Sequence, residues 1–337
     1  MRRHPPLIAL AILACLALGR QPSSQAGRPV NAVQVHVGVE RAVPADRPLT
    51  AVPGEFVTGL AGDDFEIVLD GAPCPLTSFS AADDPVALAV LLDVSNSVGV
   101  PPERLAEPLE KSLIPGLKAG DRASFSRFGG TDMLLGGFAS SPQDMVRSAR
   151  ETLKHPKGTK TFGFGASPAW DAVDAATAAL ESQDLRRAIV LVTDGRSTGN
   201  VRSLDEAILD AVIASVSVSV VGEEQPQVIR SAGVTIASVY PDRFLRVMAD
   251  RTGGAYIDLF GPEANEPTRV DEGATKRRLG RALETLVRDL HRMYTLSFVP
   301  PVSDGRMHRL EVRVKKPGVK VRAPQGYRSR ESGGQGK

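Results

Sequence analysis

An unbroken run of apolar residues, Val86 to Leu92, most constrains what this chain can fold into. Seven consecutive apolar residues suit a strand that is buried on both faces, because a strand with one wet face would alternate with polar residues. A second such run covers Ala188 to Val192, and 42% of the 337 residues are hydrophobic, enough for a large core. These runs predict a parallel sheet with helices on both of its faces.

Helical patterns alternate with the strands between residues 85 and 265. Ser203 and Glu206 form a capping-box pattern that opens one helix, and a helix from about Pro241 ends at Gly253-Gly254. The other residues expected on buried helix faces are Leu105, Leu109, Leu113, Trp170, Val173, Thr177, Leu180, Phe244, Val247 and Met248. Alternation of this kind predicts an α/β fold: a doubly wound, mostly parallel, Rossmann-like sheet over 85–265.

Antiparallel β-regions are expected on both sides of this sheet. Residues 27–84 contain an alternating segment from Val33 to Val39 and an Asp70-Gly71 hairpin signal. Residues 266–327 begin with an amphipathic helix over 276–293, which carries an apolar stripe and a solvated His291, and continue as a β-hairpin region. We expect the two β-regions to pack on each other, and residues 328–337 to form a disordered tail.

The basic residues of the C-terminal region are predicted to occupy its wet sheet face, with peripheral contact to an anionic envelope surface as the alternative. They are Arg309, Arg313, Lys315, Lys320 and Arg322.

The first 26 residues have the pattern of a secretory signal peptide. Arg2 and Arg3 precede an apolar run that ends near Gly19, and small residues before Gly27 suit cleavage there. Cleavage before Arg20 and lipid modification of Cys15 are alternatives. The pattern predicts export to the periplasm or the extracellular space, and removal of the segment leaves Cys74 as the one cysteine.

Oxygen-bearing side chains follow the two buried strands. The first strand ends in Asp93-x-Ser95-x-Ser97, the second ends in Thr193-Asp194-Gly195, and Ser167 precedes the helix between them. Ligands of open α/β sheets bind outside the carboxyl ends of the strands, so these side chains are expected to converge. Carboxylates and hydroxyls are hard donors, which favour Mg²⁺, or Mn²⁺ and Ca²⁺, over zinc or copper.

These motifs resemble the metal-ion-dependent adhesion site of a von Willebrand factor type A domain. The resemblance implies that Asp93, Ser95, Ser97, Ser167 and Asp194 hold a divalent cation, with Ser167 in the family's threonine position. It also implies binding of a protein ligand that offers an Asp or Glu to the metal. The flanking β-regions resemble secreted bacterial "VWFA-related" proteins at residues 56–60, 64–66, 70–71, 77–79, 294–298, 304–308 and 326–327.

The resemblance implies an adhesion-type, non-enzymatic module, and several features of the sequence argue against other functions. A net charge of +2 and 5% aromatic residues argue against nucleic-acid binding. A serine hydrolase at Ser167 is disfavoured because the surrounding Gly165 to Ala169 segment lacks the second glycine of a nucleophile elbow. A structural envelope protein with a vestigial ion site is the main alternative, and Ser167 could instead serve only as a helix N-cap. The sequence leaves the oligomeric state open.

Overall fold

The computed structural model describes residues 32–42, 54–81, 83–95, 102–129, 133–154, 166–193, 195, 197–222, 227–231, 234–239, 244–259 and 272–331. The predicted signal peptide, residues 1–26, lies outside these ranges. Residues 31–337 cluster as one compact unit. In the described part of the chain, no helix combines the length and the apolar character that crossing a bilayer requires.

The strands and helices of the described residues follow each other along the chain in this way. The strands are β1 (Val33–Arg41), β2 (Phe65–Leu69), β3 (Ala72–Cys74), β4 (Leu76–Ser80), β5 (Val86–Asp93), β6 (Arg122–Phe128), β7 (Arg186–Thr193), β8 (Val216–Gly222), β9 (Gln227–Ser231), β10 (Val234–Val239), β11 (Tyr256–Asp258), β12 (Tyr294–Phe298), β13 (Met307–Val314), β14 (Val319–Arg322) and β15 (Gly326–Arg328). The helices are α1 (Pro102–Pro108), α2 (Pro142–Thr152), α3 (Ala169–Glu181), α4 (Leu204–Ile213), α5 (Phe244–Thr252) and α6 (Glu272–Leu290).

A five-stranded parallel sheet forms the centre of the fold, in the order β11-β8-β7-β5-β6. All eight residues of β5 are buried. Its residues alternate between two cores: Leu88 and Val90 pack on the side of α1, α2 and α6, whereas Ala89 and Leu91 pack on the side of α3, α4 and α5. This two-sided burial explains the continuous apolar run and confirms the predicted doubly wound sheet.

The two flanking β-regions interleave in two four-stranded sheets, β14-β1-β12-β4 and β15-β13-β2-β3. Strand β1 pairs antiparallel with both β12 and β14, and β2 pairs antiparallel with β13. Phe65, Phe79 and Tyr294 pack their rings together with centroids 5.2–5.7 Å apart. Segments that lie more than 200 residues apart therefore share one structure, as the sequence analysis expected.

Some local expectations were wrong. In α5, Met248 is buried as predicted, but Phe244 and Val247 are 47% and 37% exposed, and Leu245 and Ala249 take their places on the buried face. The apolar run from Met133 to Leu135, a pattern that favours a strand, forms only an isolated bridge in which Leu134 pairs antiparallel with Arg127 of β6.

Further corrections concern the C-terminal third. His291 is buried between Asp83 and Asp121, with 3.0 Å from each ring nitrogen to a carboxylate oxygen, and does not lie on a solvated face. Arg322 is also buried rather than exposed on a wet strand face. Residues 328–331, assigned to a disordered tail, belong to the fold, because the buried Ser329 donates a 2.7 Å hydrogen bond to Asp304.

His308 on β13 makes the stability of the β-region dependent on pH. Its ring nitrogens contact carboxylate oxygens of Asp70 at 2.7 Å and Asp304 at 2.9 Å, and the ring stacks on Tyr327. Hydrogen bonds with Asp304 and Asp70 raise the pKa of His308. The protonated ring therefore stabilises the folded state below the unfolded histidine pKa of about 6.5, and this contribution is lost as pH rises through the folded pKa.

As the pH rises from 6 to 9, we expect the urea concentration at the unfolding midpoint to fall more for the wild-type protein than for His308→Gln. Glutamine cannot be protonated, so the variant lacks the contribution of the charged ring. The same contacts lower the pKa of both carboxyl groups, so their contribution is lost only in acid. Urea unfolding at a series of pH values measures the difference. Parallel pH profiles for the two proteins would contradict the assignment.

Candidate metal site at the carboxyl edge of the sheet

Asp93 is the last residue of β5, at the point where the winding of the sheet changes direction. From β5 the chain passes to β6 on one side and then to β7 on the other, and both neighbours run parallel to β5. Such a switch point opens a crevice outside the carboxyl ends of the strands. The topology therefore brings Asp93 and Thr193, the last residues of two adjacent strands, to the same edge of the sheet.

The carboxylate of Asp93 gathers donors from three separate segments. Its Oδ2 accepts hydrogen bonds from the Ser167 hydroxyl at 2.8 Å and from the Thr193 hydroxyl at 2.6 Å. Its Oδ1 accepts from the backbone N–H of Ser95 at 2.9 Å, and the Ser95 hydroxyl also hydrogen-bonds the carboxyl group. The predicted convergence of the 93–95 turn with Ser167 is thus present in the structure.

The carboxyl group of Asp93 is buried without a positive partner among the described residues. Asp93 is 1% exposed, and no Lys, Arg or His side chain among the described residues lies within ion-pair distance of it. Burial raises the pKa of Asp93, although the hydrogen bonds from Thr193, Ser95 and Ser167 oppose the shift. A buried carboxylate that has hydroxyl donors but no counter-charge is a suitable ligand for a cation.

Ser167 does not act as a helix cap, which removes one alternative from the sequence analysis. Helix α3 has Pro168 in the N-cap position, without a side-chain cap. Its first backbone N–H groups donate instead to the loop after β7: Ala169 to the Ser197 hydroxyl at 3.2 Å and Trp170 to the Asn200 side chain at 2.9 Å. Because that loop caps α3, the Ser167 hydroxyl is available to Asp93.

A glycine allows β6 to approach the 93–95 turn closely. Gly129 has a φ of +120°, and a Cβ atom there would lie 2.8 Å from the Ser95 nitrogen and 3.2 Å from Asp93 Oδ1. The backbone N–H of Val94 donates to the Phe128 carbonyl at 2.9 Å just before this position. A side chain at residue 129 would therefore push against the candidate ligands.

Thr193 also contacts the Asp93 carboxylate, although the sequence analysis did not include it in the site. The sequence analysis gives it only as the start of a Thr-Asp-Gly segment, yet its hydroxyl donates to Asp93 Oδ2 at 2.6 Å. Its place at the end of a strand adjacent to β5 was the signal that could have identified it. The other two predicted ligands, Ser97 and Asp194, lie outside the described residues, within which no group of three or more His, Cys, Asp or Glu side chains could hold a metal.

The described donors nevertheless fit a hard divalent cation. The side-chain atoms that could contact the metal are all oxygens. Each hydroxyl that donates its proton to Asp93 keeps lone pairs that can face a metal. Asp93, Ser95 and Ser167 would hold the ion, and Thr193 would position the Asp93 carboxylate. Bound there, the ion would supply Lewis acidity toward an external oxygen ligand.

Comparison with known proteins gives structural likenesses only. No protein-family model matches the chain, and no curated protein matches it. An aerotolerance-related membrane protein from Bacteroides fragilis is 19% identical over 59% of this chain and 98% of its own, with a TM-score of 0.39. Proximal thread matrix protein 1 from the mussel byssus is 13% identical over 66% of this chain and 51% of its own, with a TM-score of 0.47.

Another crystal structure of the mussel protein, described as having a zinc-occupied MIDAS motif, has a TM-score of 0.45 at 13% identity, over 65% of this chain and 48% of its own. Because these scores are low, the fold is assigned from the chain's own strand order, its helices on both faces and its Asp93 turn at the switch point. On these features, the described residues between 86 and 258 form a doubly wound, mostly parallel, Rossmann-like α/β fold, as the sequence analysis predicted.

Proposed function

We propose that this chain is an exported protein-binding module that uses a divalent cation, Mg²⁺ or else Mn²⁺ or Ca²⁺, to bridge to an acidic group of a partner protein. The proposed ligands are Asp93, Ser95, Ser97, Ser167 and Asp194. The observation that carries the proposal is the buried, hydroxyl-surrounded Asp93 carboxylate, which no described cationic side chain neutralises. Export rests on the signal-peptide pattern of residues 1–26.

The chemistry of the site favours adhesion over catalysis. The Ser167 hydroxyl donates to a carboxylate, and among the described residues no histidine contacts it to act as a general base. A cation held by one or two carboxylates and neutral hydroxyls keeps positive charge toward solvent. Mg²⁺ prefers six oxygen ligands and keeps water where the protein supplies fewer, so an Asp or Glu of a partner can replace that water.

Removal and return of the ion should change the thermal stability of the full chain. Saturating Mg²⁺ or Mn²⁺ at 100-fold above its Kd stabilises the folded state by about 2.7 kcal/mol. For a protein of this size we expect the melting temperature to rise by about 4 °C relative to chelator. Asp93→Asn should abolish the rise, because the neutral amide cannot supply the charge that holds the ion.

Asp205→Asn is the matched control, since this aspartate is exposed on α4 and away from the site. The control should keep the full ion-dependent rise. Equal melting temperatures of the wild-type protein with and without millimolar ion would favour the structural protein with a vestigial site. Labelling of Ser167 by a serine-directed phosphonate would instead support the hydrolase.

Partner binding can be tested with the Mn²⁺-loaded protein. A peptide with one glutamate should displace metal-bound water and lower the water-proton relaxation enhancement of bound Mn²⁺. The same peptide with glutamine should leave it unchanged. If both peptides act alike, the ion does not recognise an external carboxylate.

A further inference from the structure

A large groove lies between helix α4 and the flanking β-region, away from the Asp93 site. Its volume is about 800 Å³, within the range of about 300–1,000 Å³ for ligand pockets. One side consists of Ile208, Leu209 and Val212 on α4, and the other side is formed by β13 and β14. Gly254, which also lines it, contacts β8 near its first residues, so the groove lies toward the amino edge of the central sheet.

Strands β13 and β14 follow each other along the chain but do not pair with each other. They belong to different sheets of the flanking region, β13 next to β2 and β14 next to β1. A turn at residues 315–318 joins them, and residues of both strands line the groove. We call this space the β13–β14 groove.

The register shows which backbone groups of β13 face the groove. The Arg309 carbonyl accepts from Asp70, next to β2, whereas the Leu310 N–H donates to the Gln325 carbonyl on the opposite side. Backbone groups alternate in direction along a strand, so those of Val312 point away from β2. Beyond Leu310, β13 has no strand partner on that side within the described residues.

Strand β14 presents a second free edge. The Gly318 carbonyl accepts from the Ala42 N–H, so the even-numbered residues of β14 bond to β1. The backbone groups of Val319 and Val321 therefore point away from β1. In the described structure no strand pairs with β14 on this side, and Val321 lines the groove opposite Val312.

The groove carries more positive than negative charge. Its cationic side chains are Arg251, Arg309, Lys320 and Arg322, and its acidic ones are Asp250 and Glu311. Three of the cations already pair with carboxylates: Arg251 with Asp205, Lys320 with Glu40 and Asp250, and Arg322 with Glu40 and Asp289. The Arg309 guanidinium has no ion-pair partner among the described residues and is exposed.

We propose that the β13–β14 groove binds an extended, acidic peptide segment of a partner protein by β-strand addition. Unpaired strand edges bind extended peptides through main-chain hydrogen bonds, and side-chain contacts select the sequence. The peptide backbone bonds to the free groups of Val312 and Val321. Its carboxylates form ion pairs with the Arg309 guanidinium, and its apolar side chains pack on Leu209, which is 40% exposed.

The test uses the full chain and a fluorescein-labelled probe, acetyl-Ser-Val-Glu-Val-Glu-Val-Ser-amide. We expect saturable binding by fluorescence anisotropy. N-methylation of alternate backbone nitrogens should weaken binding about tenfold or more, because it removes donors and keeps every side chain. Binding should slow hydrogen exchange at the amides of Val312 and Val321 and should be unchanged in Asp93→Asn, which separates this site from the proposed ion site.

Two variants and a control locate the binding. Val321→Pro removes one donor from the free edge and leaves the β1 ladder intact, and Arg309→Glu reverses the unpaired charge. Each should weaken binding about tenfold, whereas Arg147→Glu on α2, an exposed cation outside the groove, should not. The proposal is overturned if the N-methylated probe binds equally well, if neither variant weakens binding, or if no saturable binding occurs up to about 1 mM probe.

Discussion

Replacing Arg322 by methionine is expected to lower the free energy of unfolding by about 3–5 kcal/mol, because the buried carboxylates of Glu40 and Asp289 lose their shared buried counter-charge and keep only exposed cations nearby. Arg322 is 7% exposed, and its guanidinium lies 3.7 Å from Glu40 and 3.5 Å from Asp289. These three residues come from β14, β1 and α6. The arginine therefore neutralises the junction between the flanking β-region and the long C-terminal helix.

The matched control is Lys320→Met, two residues earlier on the same strand. Lys320 also contacts Glu40 at 3.7 Å, but its side chain is 58% exposed, so its loss should change stability by about 0–1 kcal/mol. Urea unfolding at pH 8 measures both variants. Equal, small losses would show that Arg322 does not balance the buried carboxylates.

The pH dependence gives a second check on the Arg322 variant. Burial raises the pKa of Asp289, and loss of the opposing arginine should raise it further. A carboxyl group whose folded pKa is above its unfolded value destabilises the folded state once it must ionise. We therefore expect the loss from Arg322→Met to be smaller at pH 5 than at pH 8.

Thr193→Val is expected to cost about 1.5–3 kcal/mol in chelator and to weaken ion binding as well. Valine keeps the shape of threonine but removes the hydroxyl that donates to the buried Asp93 carboxylate at 2.6 Å. It also removes the acceptor of the Gly195 N–H. Without that donor, the Asp93 carboxylate is less stable and less firmly oriented for a cation.

Thr193→Ser is the matched control, because it keeps the hydroxyl and loses only the methyl group. Thermal unfolding with chelator and with Mg²⁺ compares the two variants, and serine should retain most of the ion-dependent rise. If valine and serine behave alike, the hydroxyl of residue 193 does not support Asp93. Together with Asp93→Asn, this pair separates the role of the ligand from that of the residue that positions it.

The fold of the central sheet was predictable because burial on both faces leaves a direct trace in the sequence. The apolar runs of β5 and β7 could not be confused with strands that have a wet face. The helix faces were harder to predict. In α5 the choice between Phe244 and Leu245 as the buried residue depends on a rotation of one residue, which a nine-residue helix does not settle by periodicity alone.

Charged residues gave the clearest failures. His291 and Arg322 lie in basic stretches that suggested solvated faces, but each is buried among carboxylates from other parts of the chain. A local pattern carries no information about a partner such as Glu40, which is remote in the sequence from Arg322. Burial of a charge depends on such partners, so it becomes visible only in the folded chain.

The sequence by itself determined the doubly wound sheet, the flanking β-regions and the oxygen donors at the ends of β5 and β7. Only the tertiary structure decided what those donors do: Ser167 bonds to Asp93 instead of capping α3, and Thr193 joins it. The partners are 74 and 100 residues from Asp93 along the chain. Burial on both faces of a strand is visible in a continuous apolar run, but the direction of a polar side chain depends on contacts made by distant segments.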